Sequence, residues 1–209
     1  MTPLAHILEN KVVAIIRGAN PPQELLQIAE ALYAGGVRTM EVTLNSPHAL
    51  ASIEEVARRM EGRLLVGAGT VLDPETARAA LLAGAQYIIS PTLNVKTIRL
   101  TKRYGAVSIP GAYSATEILA AYEAGGDIIK VFPAGSAGAG YFKDIAGPLP
   151  FIPLMPTGGV SLDNIRQFAQ AGAAAYGLGS SLVDTSQKVT DEYLARLTDK
   201  ARQFVQAVA

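Results

Sequence analysis

Cysteine is absent from the 209 residues, and histidine occurs only twice. The first absence excludes disulfides, thiolate metal sites and a cysteine nucleophile. The two histidines, His6 and His48, are too separated and peripheral to form a metal pair, and no aspartate–histidine cluster accompanies them. Neither a metal nor another cofactor is expected. Charge of either sign is not in excess, since 18 basic residues balance 18 acidic ones. That balance argues against nucleic acid or an anionic membrane as partner. No apolar run approaches the roughly 20 residues of a membrane helix. Met1 to Asn10 lacks the basic start and long apolar core of a signal peptide, so a cytoplasmic protein is expected.

What is present is the material of an ordinary globular core, 49% hydrophobic and 17% charged. Strand-like runs alternate with helix-like segments. The expected strands are Val12–Arg17, Thr39–Asn45, Leu64–Val66, Tyr87–Ser90, Val107–Pro110, Ile128–Phe132, Ile152–Thr157 and Ala174–Leu178. Pro21-Pro22, Ser46-Pro47 and Asp73-Pro74-Glu75 read as helix starts, and the last helix as Asp191 to Val208. Ala34-Gly35-Gly36, Ala83-Gly84-Ala85, Ala124-Gly125-Gly126 and Ala171-Gly172-Ala173 each close a helix before a strand, where glycine suits a left-handed cap. About eight such units without a composition shift predict a single α/β domain spanning residues 1–209: a (β/α)8 TIM barrel with a short N-terminal helix, or alternatively an open doubly wound sheet.

Barrel enzymes carry their sites at the C-terminal strand ends, and polar residues collect there. In Asp127-Ile128-Ile129-Lys130-Val131-Phe132-Pro133 a lysine interrupts a strand that should be continuously apolar. Lys130 is either a strand-end residue reaching solvent or a carboxylate, or an amine kept dry to form a Schiff base. In the second strand Glu41, Thr43 and Asn45 share one face, turned to the barrel mouth, while Met40, Val42 and Leu44 share the other, turned to the helices. Glu41 is thus an ion-pair partner for Arg17 or Lys130, or a general acid–base. Thr157-Gly158-Gly159 and Gly177-Leu178-Gly179-Ser180 follow the last two strands, where barrel phosphate sites are built, with Ser181-Leu182-Val183 expected as the accompanying short helix. Gly135 to Gly140 is expected as a flexible loop over the mouth. Gly67-Ala68-Gly69-Thr70 lacks the lysine of a P-loop, and Thr70 is a candidate to hold a carboxylate. Phe132 and Pro91 are candidate apolar walls.

Seven motifs, in order along the chain, are Glu41-Val42-Thr43-Leu44, Gly67-Ala68-Gly69-Thr70-Val71, Ile89-Ser90-Pro91, Ile109-Pro110-Gly111, Lys130-Val131-Phe132-Pro133-Ala134, Ala146-Gly147-Pro148 and Pro156-Thr157-Gly158-Gly159. Together they resemble the 2-keto-3-deoxy-6-phosphogluconate (KDPG) aldolase family, which includes 4-hydroxy-2-oxoglutarate and 6-phosphogalactonate aldolases. The resemblance implies a homotrimeric class I aldolase barrel acting on a small 2-keto acid, with Lys130 as Schiff-base lysine and Glu41 as acid–base. It further implies Arg17 and Thr70 on the pyruvate carboxylate, Pro91 and Phe132 beside it, and phosphate on Gly158, Gly159, Gly179 and Ser180. Many members carry arginine where this chain has Asn45. Asn45-Ser46-Pro47 is more similar to the phosphogalactonate branch, whereas Thr157 is more similar to the phosphogluconate branch.

Overall fold

The structure, a computed structural model, describes all 209 residues, Met1 to Ala209. In chain order the elements are α1 (Pro3–Asn10), β1 (Val12–Ile16), α2 (Pro22–Ala34), β2 (Thr39–Thr43), α3 (Ala49–Arg59), β3 (Leu65–Gly69), α4 (Pro74–Leu82), β4 (Tyr87–Ile89), α5 (Val95–Arg103), β5 (Val107–Ile109), β6 (Gly111–Ala112), α6 (Ala115–Glu123), β7 (Ile129–Val131), α7 (Ala134–Ala146), β8 (Leu154–Pro156), α8 (Ile165–Gln170), β9 (Tyr176–Leu178) and α9 (Asp191–Ala207). Six strands form a curled parallel sheet in the order β5-β4-β3-β2-β1-β9, and β6-β7-β8 form a second parallel sheet. No helix is long and apolar enough to cross a membrane.

The local signals for these elements are chemical. Pro22 sits in the first turn of α2, where its missing N–H is not needed. The Asp73 carboxylate accepts from Thr76 N at 2.6 Å and caps α4. Ser114 and Glu117 make a reciprocal capping box at α6. Gly36, Gly84, Gly125 and Gly172 have φ of 96°, 102°, 108° and 86°, so the four alanine–glycine pairs do end helices through left-handed residues.

Strand parity sorts the side chains into two cores. Met40 and Val42 join a 45-residue cluster between sheets and helices. A second cluster of ten fills the inside of the curl: Val13, Leu65, Tyr87, Ile89, Val107, Ile109, Ile128, Met155 and Ala175, with Ile7 contributed by α1. The short N-terminal helix therefore covers the N-terminal ends of the strands and completes an apolar floor. Lys130 shares its parity with Ile128, and Glu41 opposes Gly67 across the ladder, so both rise from that floor.

Three expectations change. Gly135 to Gly140 is not a flexible loop but part of α7, with a break at Gly138 (φ 72°); glycine is needed because Gly135 packs against Gly159, and a Cβ on Gly135 would lie 3.1 Å from its Cα. Ser181-Leu182-Val183 is not a helix but one turn, in which Leu182 N and Val183 N both donate to Gly179 O at 2.9 Å. The strand expected to end at Pro110 continues past it: lacking an N–H, proline interrupts the ladder and divides the run into β5 and β6. Boundaries elsewhere move by a few residues; α3 starts at Ala49 rather than Ser46.

Candidate active site

A cavity of about 440 Å³ opens at the C-terminal ends of the strands. Arg17, Pro91, Lys130, Phe132, Thr157, Gly158, Gly159, Gly179 and Ser180 all line it. Glu41, Thr43, Asn45 and Thr70 do not line it; they stand behind or beside its wall.

Lys130 is 4% exposed and Glu41 1%. No ion pair within 4.0 Å joins them, and Glu41 Oε2 has no protein hydrogen-bond partner. Burial pushes the Lys130 amine below the usual lysine range and Arg17 reinforces the shift, while Glu41 opposes it. Burial pushes the Glu41 carboxyl above its ordinary range against the attraction of Lys130 and Arg17. Desolvation thus dominates at both groups and drives each toward its neutral form. An amine that shares no close contact with its counter-ion keeps its lone pair accessible to a ligand. The Phe132 ring, 39% exposed, has its centroid 5.1 Å from Lys130 Nζ and walls this side of the cavity.

At the rim, Arg17 is exposed and its guanidinium donates to Thr70 Oγ1 at 3.3 Å and to Asn45 Oδ1 at 3.4 Å. Thr70 has φ 55°, an outlier for a β-branched residue, and this brings its hydroxyl to the arginine. Thr43 has a different use from the one its face suggested. It is fully buried and bonds Ser46 Oγ at 2.9 Å, and Ser46 Oγ in turn accepts from Gly18 N, so Thr43 braces the arginine loop.

Opposite Arg17, Gly158 and Gly159 have φ of 79° and 81°. The backbone N–H groups of Gly158, Gly159, Gly179 and Ser180 donate to no backbone carbonyl. They line the cavity as a rim of N–H groups without backbone acceptors, with no helix at Ser181. Residues that sequence reasoning missed add to it: Ser161, Asp184, Thr185 and Ser186 also line the cavity. Hydrogen bonds from Gln187 and Ser186 hold the carboxyl of the half-buried Asp184 below its ordinary range. The Asp184-Thr185-Ser186 run was the available signal. Thr185 Oγ1 donates to Arg17 O at 2.5 Å, tying the two rims together.

Gly67-Ala68-Gly69 has a role in the site unrelated to nucleotides. A methyl on Gly69 would overlap the Glu41 carboxylate, and one on Gly67 would overlap the Tyr87 ring. Gly69→Ala should therefore displace Glu41 and lower turnover roughly tenfold to a hundredfold, with a loss of about 1–3 kcal/mol in stability from overpacking. Turnover and a urea melt of the purified variant check this; wild-type values for both would refute the packing argument.

A model of the KDPG and KHG aldolase family matches residues 5–199. The chain is 36% identical over 197 residues to a 2-dehydro-3-deoxy-6-phosphogalactonate aldolase of Escherichia coli, covering 94% of this chain and 93% of that one. It is 40% identical over 146 residues to a 2-dehydro-3-deoxy-phosphogluconate aldolase of Pseudomonas aeruginosa, covering 69% and 66%. The fold superimposes with a TM-score of 0.87, at 28% identity and 97% coverage of both chains, on a Legionella pneumophila KDPG aldolase whose crystal structure captured pyruvate as a covalent carbinolamine. A family match across almost the whole chain, at the strand ends where a buried amine meets an open cavity, leads to one conclusion: the chain belongs to the KDPG and KHG aldolase family.

Proposed function

We propose that the protein is a Schiff-base aldolase that reversibly cleaves 2-keto-3-deoxy-6-phosphogluconate to pyruvate and glyceraldehyde 3-phosphate. The observation that carries this reading is Lys130, a buried amine without an ion-pair partner that opens into the cavity. Its Nζ attacks the C2 ketone, and loss of water from the carbinolamine leaves an iminium. When the C3–C4 bond breaks, its electron pair moves into the iminium and forms an enamine. Glu41, through a water, takes the C4 hydroxyl proton as the aldehyde departs and returns a proton to C3. Hydrolysis then releases pyruvate and the free lysine.

Arg17 and Thr70 hold the carboxylate, with Asn45 orienting the guanidinium, and Pro91 and Phe132 keep the imine dry. The free N–H groups at Gly158, Gly159, Gly179 and Ser180 receive the phosphate. Ser180→Asp should raise KM for the phosphorylated substrate roughly tenfold or more by like-charge repulsion, leaving cleavage of 4-hydroxy-2-oxoglutarate unchanged. Equal effects on both substrates would remove the phosphate from this rim. A second reading, the galactonate epimer, is favoured by Asn45-Ser46-Pro47 and by similarity to the Escherichia coli enzyme. Thr157, whose buried hydroxyl has no protein partner beside the cavity, favours the gluconate epimer. Cleavage rates on the two pure epimers separate these readings.

The two sheets are best read as one closed eight-stranded (β/α)8 barrel in a single domain, β5 and β6 counting as one strand. Supporting closure are the bridge between Thr157 and Gly177 and the bond from Ala174 N to Leu154 O at 2.8 Å. A cytoplasmic homotrimer completes the proposal. The experiment that tests the chemistry is borohydride reduction in the presence of pyruvate with mass mapping. A pyruvate-derived increment on Lys130 supports it, and no adduct, or one on a surface lysine, overturns it.

A further inference from the structure

Beneath the cavity lies a second polar group with no partner. Tyr87 is fully buried within the inner apolar cluster, and its hydroxyl meets no protein acceptor. A buried hydroxyl left unbonded is costly, as is a buried carboxylate oxygen, and Glu41 Oε2 is in the same condition. Both side chains lie over the inner face of β3. Glu41 reaches it from β2 on one side and covers Gly69; Tyr87 reaches it from β4 on the other and covers Gly67. Positions 67 and 69 point the same way along a strand, so the paired glycines open one shared space for the phenol and the carboxylate. The phenol has a hydrogen to give, and the Glu41 carboxylate, in its basic form, has only lone pairs.

We propose that Tyr87 is a positioning residue for Glu41, its hydroxyl donating to Oε2 through one water or after a small side-chain movement, so that Oε1 is the oxygen left free for the reacting proton. This rests on the aldolase reading, in which Glu41 is the acid–base. Burial and the Glu41 charge hold the Tyr87 phenol well above its ordinary range, so it remains a donor at all working pH values. The charged or titratable groups facing Glu41 are Lys130 on β7, Arg17 beyond β1 and Tyr87 on β4. The two cations and the phenolic donor all favour the carboxylate against its burial. Removing the phenolic donor disfavours the charged form and raises the Glu41 pKa. The basic form is populated above that pKa, so the acid limb of the pH profile moves upward.

Tyr87→Phe keeps the ring and deletes the donor. The expected result is borohydride trapping of pyruvate on Lys130 at the wild-type extent, with the acid limb of kcat displaced upward by about half to one unit. Deuterium exchange into the pyruvate methyl group, followed by NMR, should slow roughly threefold to tenfold below that limb and recover above it. In a Glu41→Gln background, Tyr87→Phe should add no further slowing. An unmoved acid limb, or an equal slowing with and without Glu41, overturns the proposal and leaves Tyr87 as a filler of the floor. Tyr87→Leu, which also lacks the donor, gives the same readout should the phenylalanine variant fold poorly. Failure of the aldolase reading looks different: pyruvate is then trapped on Lys130 in neither protein.

Discussion

Lys130→Met should yield a folded protein that traps no pyruvate under borohydride and cleaves the phosphorylated keto acid at least about 10⁴-fold more slowly, close to 5.5 kcal/mol of lost barrier reduction. Methionine matches the length and apolar stem of lysine, so the strand and the floor around Ile128 and Met155 are retained. An uncharged side chain is no burden at a site only 4% exposed, although Glu41 loses the attraction that favours its charged form and is driven further toward the neutral acid. The amine is what disappears. An ordinary lysine is deprotonated to about 0.1% at neutral pH; burial, assisted by Arg17, enlarges that fraction. Lys130→Arg separates chemistry from charge. It preserves a cation facing Glu41 but has no accessible free-base form, so it should be as inactive as methionine. Steady-state release of pyruvate measures both variants, and substantial turnover in the arginine variant would return Lys130 to a structural cation.

Glu41→Gln should split the reaction. Imine formation on Lys130 remains measurable by trapping, whereas turnover falls by roughly 10² to 10⁴. Glutamine fills the same space over Gly69, so the contact that fixes the side chain survives, but its amide takes up no proton. The raised pKa of Glu41, caused by burial, brings it closer to the range in which it can both accept and return one. Losing the carboxylate also removes the attraction that opposes deprotonation of Lys130, so the trapped fraction at a given pH should not decrease. Full turnover in this variant would sink the acid–base role, and loss of trapping together with turnover would make Glu41 a requirement for the lysine rather than for the proton.

Several parts of this arrangement were legible in the sequence because they depend on local periodicity. A lysine inside Ile128 to Phe132 is anomalous whatever surrounds it, and the period of two puts Glu41 opposite in facing to Met40 and Val42. The glycines after α2, α4, α6 and α8 follow from backbone sterics at a helix end. The family motifs pointed to the KDPG aldolases, and the match over residues 5–199 bears out that family. Other parts were not legible. Gly135, Gly138 and Gly140 disfavour a helix by propensity, yet the segment forms part of α7 with Gly135 packed closely on Gly159. Thr43 shares a face with Glu41 but turns to Ser46.

Periodicity along the chain is enough to say which strand residues share a face, that four alanine–glycine pairs close helices, and that the one strand-buried lysine has no apolar explanation. Only the tertiary structure decided which inward faces meet. The packing of the two sheets brings Glu41, Tyr87 and Lys130 from three separate strands to one floor, and the pairing of β1 with β9 sets the Arg17 loop beside the Thr185 turn. The physical reason is that side-chain direction is a property of each strand's own backbone, whereas the distance between strands depends on how the sheet twists and closes. Two glycines on β3 illustrate the difference: their small size is written in the chain, but the carboxylate and the phenol that occupy the space above them come from neighbouring strands.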